Sequence, residues 1–177
     1  MTDPSPSTSP AAAPEPGTYR LDPAQSTVRV DGKGMFGLIP VHGTFALVSG
    51  DVTIAEDPAG SAVRATINAG SYSSGLAKRD KDVVSPGLLD AKAYPEITFS
   101  GTGARPAGSG WILPGTVTAH GVAAPAELRI DEVRSGDGTV RFHAVTELDR
   151  TEFGVLNKKG MVGRKVAVII DAAAVSA

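Results

Sequence analysis

The sequence predicts an all-β fold: a closed, extended antiparallel barrel of about eight strands with a short helical insert near residues 75–92. Three observations lead there. Apolar and polar residues alternate at a period of two along most of the chain, as strands with one buried and one wet face require. Turn signals rich in Gly, Asp and Pro separate the alternating runs. The rhythm breaks in one region, between Ser74 and Tyr94.

The chain has 177 residues, the length of one domain. Its first segment reads MTDPSPSTSPAAAPEPG and has too few large apolar groups to offset the entropy of ordering it. A disordered tail over 1–17 and a single domain over 18–177 are therefore expected.

The strands follow in order. Val28 and Val30 alternate with Arg29 and Asp31; shorter runs place Phe45 with Leu47, and Val52 with Ile54. Val63, Ala65 and Ile67 alternate with Arg64, Thr66 and Asn68, and Ile97 pairs with Phe99. Val117 and Ala119 come next, then Ala126, Leu128 and Ile130. Val140, Phe142, Ala144 and Leu148 share a face opposite Arg141, His143, Glu147 and Asp149, and Val166, Val168 and Ile170 close the series. Turns at 57–60, 108–110 and 136–138 make consecutive strands antiparallel neighbours. Closure is the usual way for such a meander to remove its exposed edges.

The insert reads SGLAKRDKDVVSPGLLDAKAY. Pro86 and Gly87 forbid one continuous helix. Ser74 can cap a first helix running through Val84, and Ser85 before Pro86 is the signature of a second.

Several function classes lose support at this level. A net charge of −2 gives no field for attracting polyanions, and one Trp, three Tyr and five Phe make a poor stacking platform, so nucleic acid is not an expected partner. With no cysteine, disulfides, thiolate nucleophiles and cysteine-ligated metals are out. No apolar stretch approaches the roughly 20 residues of a membrane-spanning helix. Met1 to Gly17 lacks the basic and apolar regions of a secretory signal, so a cytoplasmic location is the expectation.

Gly32 to Gly37 spells GKGMFG, the letters of a dinucleotide fingerprint, but Leu38–Ile39–Pro40–Val41 leads into another strand and not into the helix that fingerprint requires. His42, His120 and His143 are far apart and none has a local metal-binding spacing. His120 is expected in a turn and His143 at the surface. No GxSxG elbow occurs, so acyl transfer is unsupported. Neither a cofactor nor a catalytic set is expected. Lys158, Lys159, Arg164 and Lys165 read as a solvated loop, or as a rim that meets an anionic head group.

The ordered motifs resemble the YceI-like family of lipocalin-like barrel proteins, from about Gly17 to Ala174. Tyr19 to Ser26 is similar to its YxxDPxxS opening, and Val41 to Phe45 to its VxGxF strand. Ser71 to Asp90 matches its long S-to-D segment, Tyr94 to Phe99 its YPxIxF, Gly115 to Pro125 its GxLTxHGVTxP and Asp149 to Gly154 its DRxxFG. The resemblance implies an extended barrel with a helical insert and an interior channel for a polyisoprenoid, an isoprenoid quinone or another lipid, and hence binding for transport, storage or sequestration. The chain departs from the pattern at Asp82, where histidine is usual, at Val83, and at Leu88–Leu89, which replace a Phe pair. Leucines there leave a roomier cavity, and Asp82 disfavours an anionic head in favour of a neutral or hydroxylated one.

Magnitude favours a long ligand. Burying each carbon is worth up to about 0.8 kcal/mol, whereas association costs roughly 4–15 kcal/mol. A tail of about twenty carbons covers that cost, and about five do not. The expected lining is Phe36, Phe45, Leu47, Ile67, Phe99, Val117, Leu128, Phe142 and Val168, with Leu88 and Leu89 from the insert and with Arg79 and Asp80 at the polar end. The competing readings are an enzyme that modifies an isoprenoid at the barrel mouth and a partner-binding scaffold with a filled barrel. A homodimer is compatible with the sequence.

Overall fold

The computed structural model describes residues 14–34, 39–155 and 163–177. Of the expected tail, residues 14–17 are therefore described; Glu15 accepts a hydrogen bond from the Tyr19 hydroxyl at 2.7 Å, and Gly17 opens the first strand.

The strands are β1 (Gly17–Leu21), β2 (Thr27–Gly34), β3 (Ile39–Ile54), β4 (Ala62–Ser73), β5 (Glu96–Thr102), β6 (Arg105–Ala107), β7 (Gly110–Ala119), β8 (Val122–Gly136), β9 (Thr139–Asp149) and β10 (Lys165–Ser176). One α-helix, α1 (Ala77–Val84), lies between β4 and β5. Neighbours pair antiparallel in the order β10-β2-β3-β4-β5-β7-β8-β9, and β9 returns to β10, so the sheet is a closed barrel of eight staves. The short β6 pairs with β7 alone among the described residues.

β1 and β2 share one stave. β1 bridges β10 and β3 through Leu21↔Ala174 and Tyr19↔Val52, whereas β2 bridges the same two strands through Val28↔Ile170 and Val28↔Phe45. The break between them is local chemistry. Asp22 accepts from Ala24 N at 3.0 Å, Pro23 opens a single 3₁₀ turn, and the Ser26 hydroxyl donates to Asp22 O at 2.7 Å. Ser26 Oγ also accepts from Ala173 N at 3.1 Å, which ties the break to β10. These contacts explain the Tyr19–Ser26 motif.

The two runs at Phe45–Leu47 and Val52–Ile54 belong to a single strand. They differ in parity because a register shift falls between Leu47 and Ser49, and a bulge of this kind turns the following residues over. β8 does the same: after the shift between Ile130 and Glu132, Val133 is buried on the inner face. Tight two-residue turns join β7 to β8 at His120 (φ 55°) and Gly121 (φ 72°), and β8 to β9 at Asp137 (φ 53°) and Gly138 (φ 74°). Both central residues have the positive φ that the twist of a hairpin favours.

The insert departs from the expected pair of helices. Ser85 does not cap a second helix; its hydroxyl donates to Asp82 O, and the residues after it form overlapping turns through Leu88 N to Ser85 O (3.0 Å) and Ala91 N to Val84 O (3.0 Å). With that hydroxyl closing α1, no side chain is left to start another helix, and Gly87 adds backbone entropy against one. Nor does Ser74 cap α1, whose N-cap is Leu76. Beneath the insert Leu88, Phe153 and Val155 are buried with Phe99 and Val117; a second cluster joins Tyr19, Leu21, Val52, Val133 and Val140.

Candidate functional site

Beside these packed clusters, inward side chains of the staves surround a cavity of about 680 Å³. An eight-stranded barrel is wide enough either to be filled by its own side chains or to hold one small ligand. Here medium-sized residues such as Val28, Ala65, Ala144 and Ala172 on the inner face leave the middle open.

The sequence-derived lining residues are brought together from nearly every stave: Phe45 and Leu47 on β3, Ile67 on β4, Phe99 on β5, Val117 on β7, Leu128 on β8, Phe142 on β9 and Val168 on β10. Leu88 and Leu89 reach the cavity from the turns after α1, and Arg79 from α1 itself. Phe36 lies outside the described residues. Asp80 is not among the lining residues; its Oδ1 accepts from Ser74 N at 2.9 Å and from the Ser74 hydroxyl at 2.5 Å, which ties the end of β4 to α1.

Further groups line the cavity. Val30 and Leu148 stand on the alternating faces legible in the sequence, although they are not in the expected lining. Thr146 falls on the same face between Ala144 and Leu148, yet its polar side chain hid it from an apolar count. Tyr72 and Arg150 carry no such signal: Tyr72 lies on β4 beyond the register shift between its Asn68 and Ser73 pairings, out of parity with Ile67, and Arg150 opens the 3₁₀ turn after β9.

One end of the cavity is polar. Lys33, Lys78 and Arg79 line it and form no ion pair among the described residues, and Asp82 lines it too. Leu76, also in the lining, is 51% exposed and marks an open rim. Tyr72 packs against Phe45 with the rings tilted at 52° and their centroids 5.2 Å apart. Burial pushes the Tyr72 phenol above its ordinary pKa and Asp80 adds to this, while Arg79 and the Ser74 hydrogen bond oppose it. The neutral phenol is thus the form presented to the cavity.

Arg150 is committed to the protein. Its Nε donates to Gly163 O at 3.0 Å and its Nη1 to Val155 O at 2.5 Å, which fastens the chain that follows β9. Burial holds its pKa below the ordinary arginine value, against the pull of Asp149. Asp149 accepts from Thr151 N at 2.9 Å and pairs with Arg164; the Thr151 hydroxyl bond, with lesser help from Arg164, holds its carboxyl below the usual range despite some desolvation. Lys165 pairs with Glu147 at 3.4 Å. Arg164 and Lys165 are therefore occupied on the wall, and Lys158 and Lys159 lie outside the described residues. His120 sits in its turn, with Nδ1 3.1 Å from Phe153 O and its ring edge-on to Tyr94 at 5.0 Å. No helix among the described residues is long and apolar enough to cross a membrane.

Comparison with known proteins agrees with this architecture. The chain is 31% identical over 137 residues to Protein YceI of Escherichia coli, across 74% of this chain and 72% of that protein. Its fold resembles the crystal structure of Burkholderia cenocepacia BcnA (TM-score 0.77, 24% identity, 86% of this chain and 98% of that one). It also resembles a polyisoprenoid binding domain from Saccharophagus degradans implicated in plant cell wall breakdown (TM-score 0.69, 13% identity, 92% and 100%). The YceI-like domain model matches residues 19–174, and on the strength of that span and the shared barrel the chain belongs to the YceI-like family.

Proposed function

We propose that this protein binds a long apolar lipid of the isoprenoid class inside its barrel and carries, stores or sequesters it. The single observation that supports the reading is the continuous cavity of about 680 Å³ walled by aliphatic and aromatic side chains from all eight staves. At roughly 30 Å³ for each water- or methylene-sized unit, that volume holds on the order of twenty carbons. Their burial supplies up to ~16 kcal/mol gross, enough to exceed the cost of association. Arg79 and the neighbouring cations are proposed to face the wet end of the ligand, and the eight inward residues from the sequence, with Leu88 and Leu89, to hold its chain. The name of the Saccharophagus relative points to the same ligand class.

Native mass spectrometry of gently purified protein tests the proposal. A co-purifying species, released by organic extraction and identified as an isoprenoid or similar long-chain lipid, is the expected result. Repeated recovery of bare protein that also ignores added polyprenols and isoprenoid quinones overturns it.

A further inference from the structure

Thr146 is the one polar or charged residue within the buried core of the described residues, at 7% exposure, and it lines the cavity. Its hydroxyl makes no hydrogen bond to any described residue, yet it is not walled in, because among the described residues no buried side-chain oxygen lacks a partner. The oxygen therefore opens on the cavity itself. Its neighbours offer nothing in exchange: Ala144 and Leu148 flank it on the inner face of β9, and Val168 stands opposite on β10. A lone water there would lack the two to four polar partners that hold buried waters. Leaving a hydroxyl unpaired in an apolar interior is unfavourable by roughly 1–3 kcal/mol, and a valine of nearly the same shape would avoid that.

We infer that Thr146 is the polar anchor of the cavity and selects a lipid whose chain carries a neutral oxygen, a carbonyl or a hydroxyl, at the depth of this residue. The inference rests on the proposed cargo role and names the chemistry of the cargo. The group is neutral because an ion at this level would lose its hydration among Ala144, Leu148 and Val168. The nearest cation along the chain, Arg150, has its Nε and Nη1 on Gly163 O and Val155 O. The threonine hydroxyl both donates and accepts, so either kind of oxygen satisfies it.

The test compares phytol, a branched isoprenoid alcohol, with phytane, the matching hydrocarbon, as competitors for the fluorescent apolar dye N-phenyl-1-naphthylamine. One hydrogen bond is worth roughly 0.5–1.5 kcal/mol, so wild-type protein should prefer phytol by roughly 2- to 12-fold beyond the difference in their water solubility, which a bilayer-partition control supplies. Thr146→Val should abolish that preference while binding phytane at least as well, and Thr146→Ser should restore it. A preference that survives in Thr146→Val, or that Thr146→Ser fails to restore in a folded protein, overturns the anchor. If neither competitor displaces the dye from wild-type protein, the cargo role itself fails and the anchor with it; displacement by both without discrimination defeats the anchor alone.

Discussion

Tyr72 of β4 lies across the missing side chain of Gly43 in β3, so that a Cβ at Gly43 would overlap the tyrosine ring. The same ring packs at a tilt against Phe45 at 5.2 Å and lines the cavity, so the glycine is what lets an aromatic pair form part of the wall. Gly43→Ala should lower stability by about 1–3 kcal/mol through overpacking. Denaturant unfolding checks this, and the cost should largely vanish in a Tyr72→Ala background because the two positions share one space. Additive costs would show that the ring is not what confines position 43.

Filling the void should separate binding from folding. Ala144, 4% exposed and cross-strand from Ile170, faces the open centre. In Ala144→Phe the ring takes space that would hold several ligand carbons; losing two already costs about tenfold in affinity. Dye displacement by a long isoprenoid should therefore weaken at least about tenfold. The unfolding free energy should move by less than about 1.5 kcal/mol, because the cavity receives the ring without strain.

Asp80 joins β4 to α1 by accepting two hydrogen bonds from Ser74. Asp80→Ala should loosen the insert by about 1–2 kcal/mol, seen as faster amide exchange across residues 77–84. Dye binding should change little, since Asp80 is not in the lining. Lost binding with unaltered exchange would return Asp80 to the polar end of the site.

His143 on β9 places Nδ1 2.5 Å from Asp131 Oδ1 of β8. That hydrogen bond raises the histidine pKa above 6.5, aided by the charges of Asp131, Asp171 and Glu132 and opposed by slight desolvation. A pKa raised on folding means stability that is fully present below 6.5 and is lost as pH rises through the higher folded value. The side chains are 31% and 50% exposed, so screening keeps the contribution below about 1 kcal/mol. Unfolding midpoints taken below 6.5 and well above the folded value should show this loss, and His143→Gln should remove it.

Strand faces, hairpin turns and the place of the insert were legible in the sequence because each depends on residues a few positions apart. The alternation Val63, Ala65, Ile67 points one side of β4 inward wherever β4 happens to lie. The bulges were not legible: the parity change between Leu47 and Val52 looks like two strands until β4 supplies the partner that keeps β3 continuous. The place of Asp80 was not legible for a related reason: only the fold brings Ser74 within reach, where Asp80 Oδ1 accepts two hydrogen bonds from it.

Sequence alone thus determined which side chains turn inward and that the chain meanders, since period-two patterning and turn chemistry are local properties. Tertiary structure decided that those side chains stand apart around about 680 Å³, and that Thr146 faces that space unpaired. Barrel radius follows from how many staves close and where β9 meets β10, a pairing that brings Asp149 to Lys165 and Thr139 to Val175 and that no short stretch of chain encodes.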